Sequence, residues 1–386
     1  MKKILIVNNN MHIGGVQKSL MNLLNEIHKD YDITLLLFYT GGELFEQIPG
    51  DIKIIAPSRP FRYLGMTKHD AKSLSDKTGR AFWAALTRIF GRNFSFKLMR
   101  LFQRKIKSFD TAVSFLHSGE NRMFYGGCNE FVLNCTDAPQ KVTFLHCDYE
   151  KINADSKYNT KIYKQFDKIA ACSKGCKESF INLLPQFRDK TFVVENCHNY
   201  KEIHKLAEST AVTLPDDKLN IVTVARFGKE KGVLRAIRAA SKTGRTDKFR
   251  YYIIGNGAEF EQAKTLINEL KLSETVFPLG EKENPYGYIK AADWLLIPSY
   301  SEAAPMVIGE AACLGTPILS TETSSSDEMI LESGFGIVCE NSEEGITNGL
   351  LKIINSSSLL QEKETFLNSQ KFDNQSALKH FSELIK

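Results

Sequence analysis

Short apolar runs rich in β-branched residues alternate with longer stretches of helical periodicity along the whole chain, an alternation that suits parallel sheets threaded by crossover helices. The runs in the first half are Ile4–Val7, Ile33–Phe38, Ile52–Ile55, Thr111–Phe115, Val142–Leu145, Lys168–Cys172 and Thr191–Glu195. Those in the second half are Asn220–Ala225, Tyr251–Ile254, Val276–Leu279, Trp294–Pro298, Pro317–Ser320 and Gly336–Cys339. A single core stops growing near about 250 to 300 residues, so a chain of 386 is expected to form two doubly wound, Rossmann-like α/β domains. The polar stretch His198–Asp217 marks their boundary, giving domains at 1–200 and 201–371 and a last helix over about 372–386. Sheets of this kind put ligand sites at the carboxyl ends of their strands, and two of them facing each other would place the site in the cleft between.

Composition removes several classes. Eight cysteines with no Cys-x-x-Cys pair and no Cys/His cluster at zinc spacing indicate neither a disulfide framework nor a structural zinc, and Cys172 and Cys176 read as core thiols. The apolar run after Met1-Lys2-Lys3 is broken by Asn8-Asn9-Asn10, too early for a signal-peptide core, so a mature N-terminus is expected. No window approaches the ~18 uninterrupted apolar residues of a spanning helix, which leaves a soluble protein or one lying on a membrane surface.

Charge is unevenly divided. Residues 1–200 carry 29 Lys/Arg against 19 Asp/Glu, and the remainder 21 against 26. Residues 59–107 alone hold 13 basic residues and two acids, Asp70 and Asp76, interleaved with Phe61, Tyr63, Phe82, Trp83, Phe90, Phe94, Phe96 and Phe102. Such a segment suits anionic lipid, where each surface Lys or Arg contributes about 1 kcal/mol and rings sit at the headgroup level. Nucleic acid is the competing partner, and a helix pair with a solvated basic face over aromatic core contacts is the purely structural alternative.

Three loops after strands hold residues with chemical potential. Gly14-Gly15 follows the first strand and opens the amphipathic run Ser19–Ile27; backbone N–H groups there can approach phosphate, or the pair can simply make a tight turn. Arg226 and Lys231, five apart after the first strand of the second half, can converge on one diphosphate or stand as solvated charges. In Ser299–Pro317, Pro305 suits a first helical position and Gly315 with Pro317 an end, so Glu302 falls in the loop and Glu310 inside the helix. Glu310, set among Ile308, Gly309, Ala311 and Ala312, suits a buried acceptor, and a ribose diol supplies two donors; the N–H groups of the helix start can hold phosphate. Glu302 as a helix cap and Glu310 on an exposed side are the alternatives.

Glu302, seven intervening residues and Glu310 resemble the Glu-x7-Glu signature of retaining glycosyltransferases of GT-B fold, and the surroundings are similar to glycosyltransferase family 4 (glycosyl transferases group 1). Gly14-Gly15 resembles the family's glycine loop, Arg226 and Lys231 its Arg-x4-Lys pair, and Gly255-Asn256-Gly257 its Gly-x-Gly turn. Asn284-Pro285-Tyr286 before Ala291-Ala292-Asp293 resembles bacterial surface-polysaccharide members, and the likeness spans nearly the whole chain.

The resemblance implies a GT-B hexosyltransferase of EC 2.4 class, moving a sugar from a nucleotide-diphosphate donor, UDP-sugar ahead of GDP-sugar, to a sugar hydroxyl of a lipid-linked or polysaccharide acceptor. Arg226 and Lys231 would neutralise the diphosphate, Glu310 would bind the ribose hydroxyls, Glu302 would lie beside the sugar ring, and His146 would contact the sugar. Gly14, Gly15, Gly257, Pro305, Met306 and Val307 would complete the donor site. No metal and no cofactor are expected, the Asp-x-Asp at Asp30-Tyr31-Asp32 reading as a turn. Ala303 and Ala304 depart from the family's Gly and aromatic residue, and Gln17 from an acid. In an N-terminal acceptor domain, segment 59–107 is expected to dock on the anionic inner face of the cytoplasmic membrane, with no nucleic acid bound, making the protein cytoplasmic and peripheral. A sugar-nucleotide epimerase of similar fold and a non-catalytic partner subunit are the alternatives, the second disfavoured by the intact charged set.

Overall fold

The computed structural model describes residues 1–119, 122–152, 154–210, 212–355, 366–367 and 371–386; the other residues, most of them in the last part of the expected second domain, lie outside the described set. The chain divides into two compact units, Met1–Cys197 with Asn374–Lys386, and His198–Asp373.

The first unit is built on seven parallel strands: β1 (Lys3–Asn8), β2 (Asp32–Leu37), β3 (Lys53–Ile55), β4 (Thr111–Ser114), β5 (Gln140–Leu145), β6 (Lys168–Ala171) and β7 (Thr191–Val193). Their order is β3-β2-β1-β4-β5-β6-β7, so the topology reverses between β1 and β4. β1 is apolar on both faces because both are covered: Ile4 and Ile6 belong to one core cluster, Leu5 and Val7 to another. Each such fully buried side chain contributes about 1.5–3 kcal/mol of transfer free energy. Helix α1 (Gly15–Ile27) lays Leu20, Leu23, Leu24 and Ile27 on the Ile4 face, and the C-terminal helix Gln375–Ile385 adds Ala377, Phe381, Leu384 and Ile385 to the same cluster.

The Leu5 face is covered by α2 (Arg59–Gly65), α3 (Leu74–Phe90), α4 (Arg92–Arg100) and α5 (Cys128–Cys135) through Phe61, Trp83, Phe96 and Phe131. Segment 59–107 is therefore three helices rather than a helix pair. Ser73 caps α3 by accepting from the Asp76 N–H at 3.0 Å, and Gly91, at φ 79°, ends α3 and starts α4 in a backbone region that favours glycine. The aromatic set splits: Phe61, Tyr63, Trp83 and Phe96 are buried, whereas Phe82, Phe90, Phe94 and Phe102 are exposed together with Leu74, Ile89 and Leu101. Helices α6 (Lys157–Lys164) and α7 (Lys174–Leu183) complete this unit.

In the second unit six parallel strands, β8 (Leu219–Val224), β9 (Phe249–Ile254), β10 (Val276–Gly280), β11 (Trp294–Ile297), β12 (Ile318–Thr321) and β13 (Gly336–Cys339), run in the order β10-β9-β8-β11-β12-β13. Again both faces are covered, with Ile221 of β8 in one cluster and Val222 in the other. Its helices include α8 (Tyr200–Ser209), α9 (Val233–Lys242), α10 (Phe260–Glu269), α11 (Tyr286–Ala291), α12 (Met306–Leu314) and α13 (Glu343–Asn355). The reversal point lies between β8 and β11, where ligands of doubly wound sheets bind. All eight cysteines are free, and all but Cys339 are buried. No helix among the described residues is long and apolar enough to cross a membrane.

Candidate functional site

The loops leaving β8 and β11 carry the charged residues singled out in the second half, and the fold brings these loops together. After β8 the chain makes a 3-10 turn at Lys229–Lys231 and enters α9 through Gly232, whose φ is 66°. A Cβ on Gly232 would collide with the Pro298 carbonyl, so glycine lets the start of α9 sit against the end of β11. Across that contact Lys231 Nζ lies 2.7 Å from Glu302 Oε1, which also accepts a bond from Ser299 Oγ at 2.6 Å. Ser324 Oγ donates to the Glu302 carbonyl at 2.7 Å, fixing the backbone of the same residue. Arg226 is exposed, and its Nη2 is 2.5 Å from Glu230 Oε1.

The Gly-x-Gly turn packs on the first of these loops. Phe227 N–H donates to the Asn256 carbonyl at 2.9 Å, and a Cβ on Gly257, at φ 156°, would come within 2.6 Å of the Phe227 carbonyl.

Pro305 is the residue before α12 (φ −67°, ψ 126°) and not its first helical position, which falls to Met306 with Val307 next; no side chain caps this start. Four residues on, Glu310 is 4% exposed and accepts from Tyr286 Oη at 3.3 Å. Tyr286 is set by its own motif: Asn284 Oδ1 accepts from the Tyr286 N–H at 3.1 Å, and Asn284 Nδ2 donates to the Leu206 carbonyl at 2.7 Å. Burial, and then the charge of Glu310, push the Tyr286 phenol up, so it stays a donor.

In the first unit the glycine loop is held by buried polar groups that the sequence reading passed over. Gly14 is the extended residue before α1 and Gly15 its first residue. Asn8, Asn9 and Asn10 are completely buried at the end of β1. Asn10 Nδ2 donates to the Gly65 carbonyl at 2.7 Å and lies 3.2 Å from Tyr125 Oη, and Gln17 Nε2 donates to Asn9 Oδ1 at 3.3 Å. His12 bridges Asp70 (Nε2 to Oδ2, 3.0 Å) and Glu43 (Nδ1 to Oε2, 3.2 Å). Burial opposes its charge, but Asp70 and then Glu43 outweigh it and raise the ring above its ordinary 6.5. Three consecutive asparagines ending an apolar strand were the available signal.

His146 follows β5, packed on Phe115 (4.8 Å between centroids) and Phe144 (5.7 Å). Its Nε2 is shut off from solvent and meets no hydrogen-bond partner; His117 Nδ1, after the neighbouring strand β4, is in the same state. Burial, with the His117 charge next, holds His146 down to about 3, and burial, with Arg92 next, holds His117 down to about 4. Both rings are therefore neutral at pH 7 and offer a hydroxyl either a donor or an acceptor. Asp30 lies in the turn after α1 and Asp32 begins β2, away from the loops just described. Among the described residues no three His, Cys, Asp or Glu side chains gather in a metal-binding group.

Residues 205–366 match the glycosyl transferases group 1 family. Over 245 residues the chain is 28% identical to the N-acetylgalactosamine-N,N'-diacetylbacillosaminyl-diphospho-undecaprenol 4-alpha-N-acetylgalactosaminyltransferase of Campylobacter jejuni, covering 62% of this chain and 64% of that one. Over 207 residues it is 23% identical to the N-acetyl-alpha-D-glucosaminyl L-malate synthase of Bacillus anthracis, covering 52% and 54%. The chain thus spans about half to two thirds of the length of these two curated relatives. Among solved structures, Anabaena Alr3699/HepE in complex with UDP and glucose superposes with a TM-score of 0.67 at 16% identity over 99% of both chains, a likeness of fold. The two parallel-sheet units are thus of GT-B type, and the second of them carries the stretch that matches the glycosyl transferases group 1 family.

Proposed function

We propose that this protein is a retaining, metal-independent glycosyltransferase that moves a hexose or related sugar from a nucleoside-diphosphate sugar to a sugar hydroxyl of a lipid-linked or polysaccharide acceptor in bacterial surface-glycan synthesis. The observation that carries the reading is the Lys231–Glu302 pair in front of the uncapped start of α12, with the buried carboxylate of Glu310 on that helix. Lys231, Arg226 and the N–H groups at Met306 and Val307 receive the negative charge that builds on the departing diphosphate. Arg226 exchanges Glu230 for phosphate at little cost, since an exposed ion pair is worth about 0–1 kcal/mol. Glu310, aligned by Tyr286, accepts the ribose hydroxyls, and Gly257 leaves room for the diphosphate near the Phe227 backbone. Glu302 lies beside the sugar ring; neutral His146 bonds a sugar hydroxyl, and Gly14 and Gly15 offer N–H groups to the donor.

The acceptor oxygen attacks the anomeric carbon on the face that the diphosphate leaves, and the acceptor proton passes to the departing phosphate oxygen. One glycosidic bond forms as the sugar–phosphate bond breaks, and the charges of Arg226 and Lys231 take the place of a metal ion. UDP is favoured as the leaving group, in keeping with the UDP complex of the Anabaena neighbour, and the undecaprenol-linked name of the Campylobacter relative favours a lipid-linked acceptor.

Segment 59–107 serves as the contact with an anionic membrane surface. The support is the exposed row Leu74, Phe82, Ile89, Phe90, Phe94, Leu101 and Phe102 on a segment with 13 basic residues. The protein then works at the inner face of the cytoplasmic membrane.

Titration calorimetry with UDP, GDP and ADP in the presence of a chelator tests the donor site. Binding of one nucleotide is expected; no binding by any of the three refutes a metal-free site. Proton NMR of the transferred anomeric carbon tests retention, and conversion of free donor to its epimer would put an epimerase in this reading's place.

A further inference from the structure

We propose that Arg235, on the first turn of α9 and outside every motif named above, is a positioning residue for Glu302, a role that rests on the donor site proposed above. Its buried guanidinium donates to the Pro298 carbonyl from Nε (2.9 Å) and Nη2 (2.7 Å), and Nη2 also donates to the Ser299 carbonyl at 2.8 Å. Its central carbon lies 3.7 Å from the centroid of the Tyr300 ring, over its face. One side chain thus grips three successive residues of the loop after β11. Two residues beyond Tyr300 stands Glu302, and Ser299, whose carbonyl Arg235 holds, donates its hydroxyl to the Glu302 carboxylate.

The other side of the loop is tied as well. Asn341 Nδ2, after β13, donates to the Tyr300 carbonyl at 3.0 Å and to the Glu322 carbonyl at 2.6 Å. Gly232 seats the start of α9 on Pro298, so Arg235 and Gly232 press on one carbonyl from neighbouring turns. A charged fork buried among carbonyls is costly, and an apolar side chain would fill the same space at lower cost. What the arginine adds is direction. Its planar fork and face fix carbonyl and ring together, which a lysine ammonium on a flexible stem cannot do. The grip holds the Glu302 carboxylate facing Lys231 before a donor arrives, and a misplacement of about 1 Å at such a group is enough to cost about 10²-fold in rate.

The test compares the full-length protein with Arg235→Met, which keeps bulk and loses the fork, and Arg235→Lys, which keeps charge. Amide exchange is followed along the chain, with UDP affinity, thermal melting and donor kcat and KM. In Arg235→Met the amides of 299–304 are expected to exchange about tenfold faster or more while the rest of the chain stays as in the wild type. Donor kcat should fall about 100-fold with KM changed less than about threefold, and Arg235→Lys should fall between the two. Wild-type exchange in that loop of Arg235→Met, or an unchanged kcat, overturns the proposal. So does a general rise in exchange with a collapsed melt in both variants, which would mark Arg235 as a core residue only. Should the wild type neither bind UDP nor turn over donor, the donor-site reading fails, while a rise confined to 299–304 still supports the grip on Glu302.

Discussion

Lys231 Nζ stands 2.7 Å from Glu302 Oε1 with both side chains largely buried, so the cation proposed for the diphosphate and the acid proposed for the sugar hold each other in place. The pair joins the loop after β8 to the loop after β11 at the point where the sheet reverses.

Because they are paired, the two residues should behave as a unit. Lys231→Ala is expected to lower donor kcat/KM by about 10²–10³-fold, as loss of a preorganised charge donor does. Glu302→Ala should lower it too, and the double variant should lose clearly less than the product of the two losses. Steady-state kinetics on the four proteins measure this; strictly multiplicative losses would show that the pair does not act together.

Tyr286→Phe removes the hydroxyl that faces Glu310 while leaving the ring. A single such bond is worth about 0.5–1.5 kcal/mol, so UDP should bind roughly 2- to 12-fold more weakly, with little change in melting temperature. Glu310→Gln should weaken binding further. Calorimetry that finds Tyr286→Phe binding like the wild type would break the link between the Asn284-Pro285-Tyr286 motif and the ribose site.

His146 and His117 predict how stability depends on acid. Their folded values, about 3 and about 4, lie below the ordinary 6.5, so the folded state binds fewer protons than the unfolded chain as pH falls. The stability they permit is intact above about pH 6.5 and is lost as pH drops toward 4, at up to about 1.4 kcal/mol per pH unit for each ring. The double variant His117→Asn/His146→Asn should show a flatter curve of unfolding free energy between pH 6.5 and 4. A slope equal to that of the wild type would contradict the neutral state of the rings.

His12 predicts the opposite sign. Its raised value means that the bond to Asp70 and Glu43 stabilises the protein fully below about pH 6.5 and is lost as pH rises through the folded value. Denaturant melts of wild type and His12→Gln should differ by about 0.5–1 kcal/mol at pH 6 and converge in mildly alkaline buffer. A difference that grows with pH would show that the ring is held neutral.

The exposed row on α3 and α4 predicts salt-sensitive sedimentation with anionic vesicles and none with neutral ones. Phe82→Ser/Phe90→Ser should weaken that binding by about tenfold or more while leaving UDP affinity unchanged. Equal binding by the variant would remove those rings from the contact.

The thirteen strands read from the sequence each coincide with an observed strand to within two residues at either end, because a strand covered on both faces is a short apolar run that local composition reveals. Helix ends were less legible: Pro305 precedes α12 instead of beginning it, and segment 59–107 makes three helices, since caps depend on which backbone groups the fold leaves unpaired. Glu310 and Lys231 were legible as residue types in a loop-and-helix pattern. Arg235 was not: a lone arginine in an amphipathic helix has the same local signature whether its fork faces water or grips Pro298.

By itself the sequence determined two parallel-sheet domains and the charged residues after β8 and β11, both of which follow from short-range periodicity and spacing. Only the tertiary structure decided that Lys231 meets Glu302 while Arg226 turns to Glu230. It also decided that Asn10 and His12 hold the glycine loop and that Phe82 and Phe90 face outward while Trp83 and Phe96 pack inward. The physical reason is the range of the interactions: strand periodicity is written within a few residues, whereas Asn10 meets Gly65 across 55 positions and Lys231 meets Glu302 across 71, and ring exposure depends on which helix face the sheet covers.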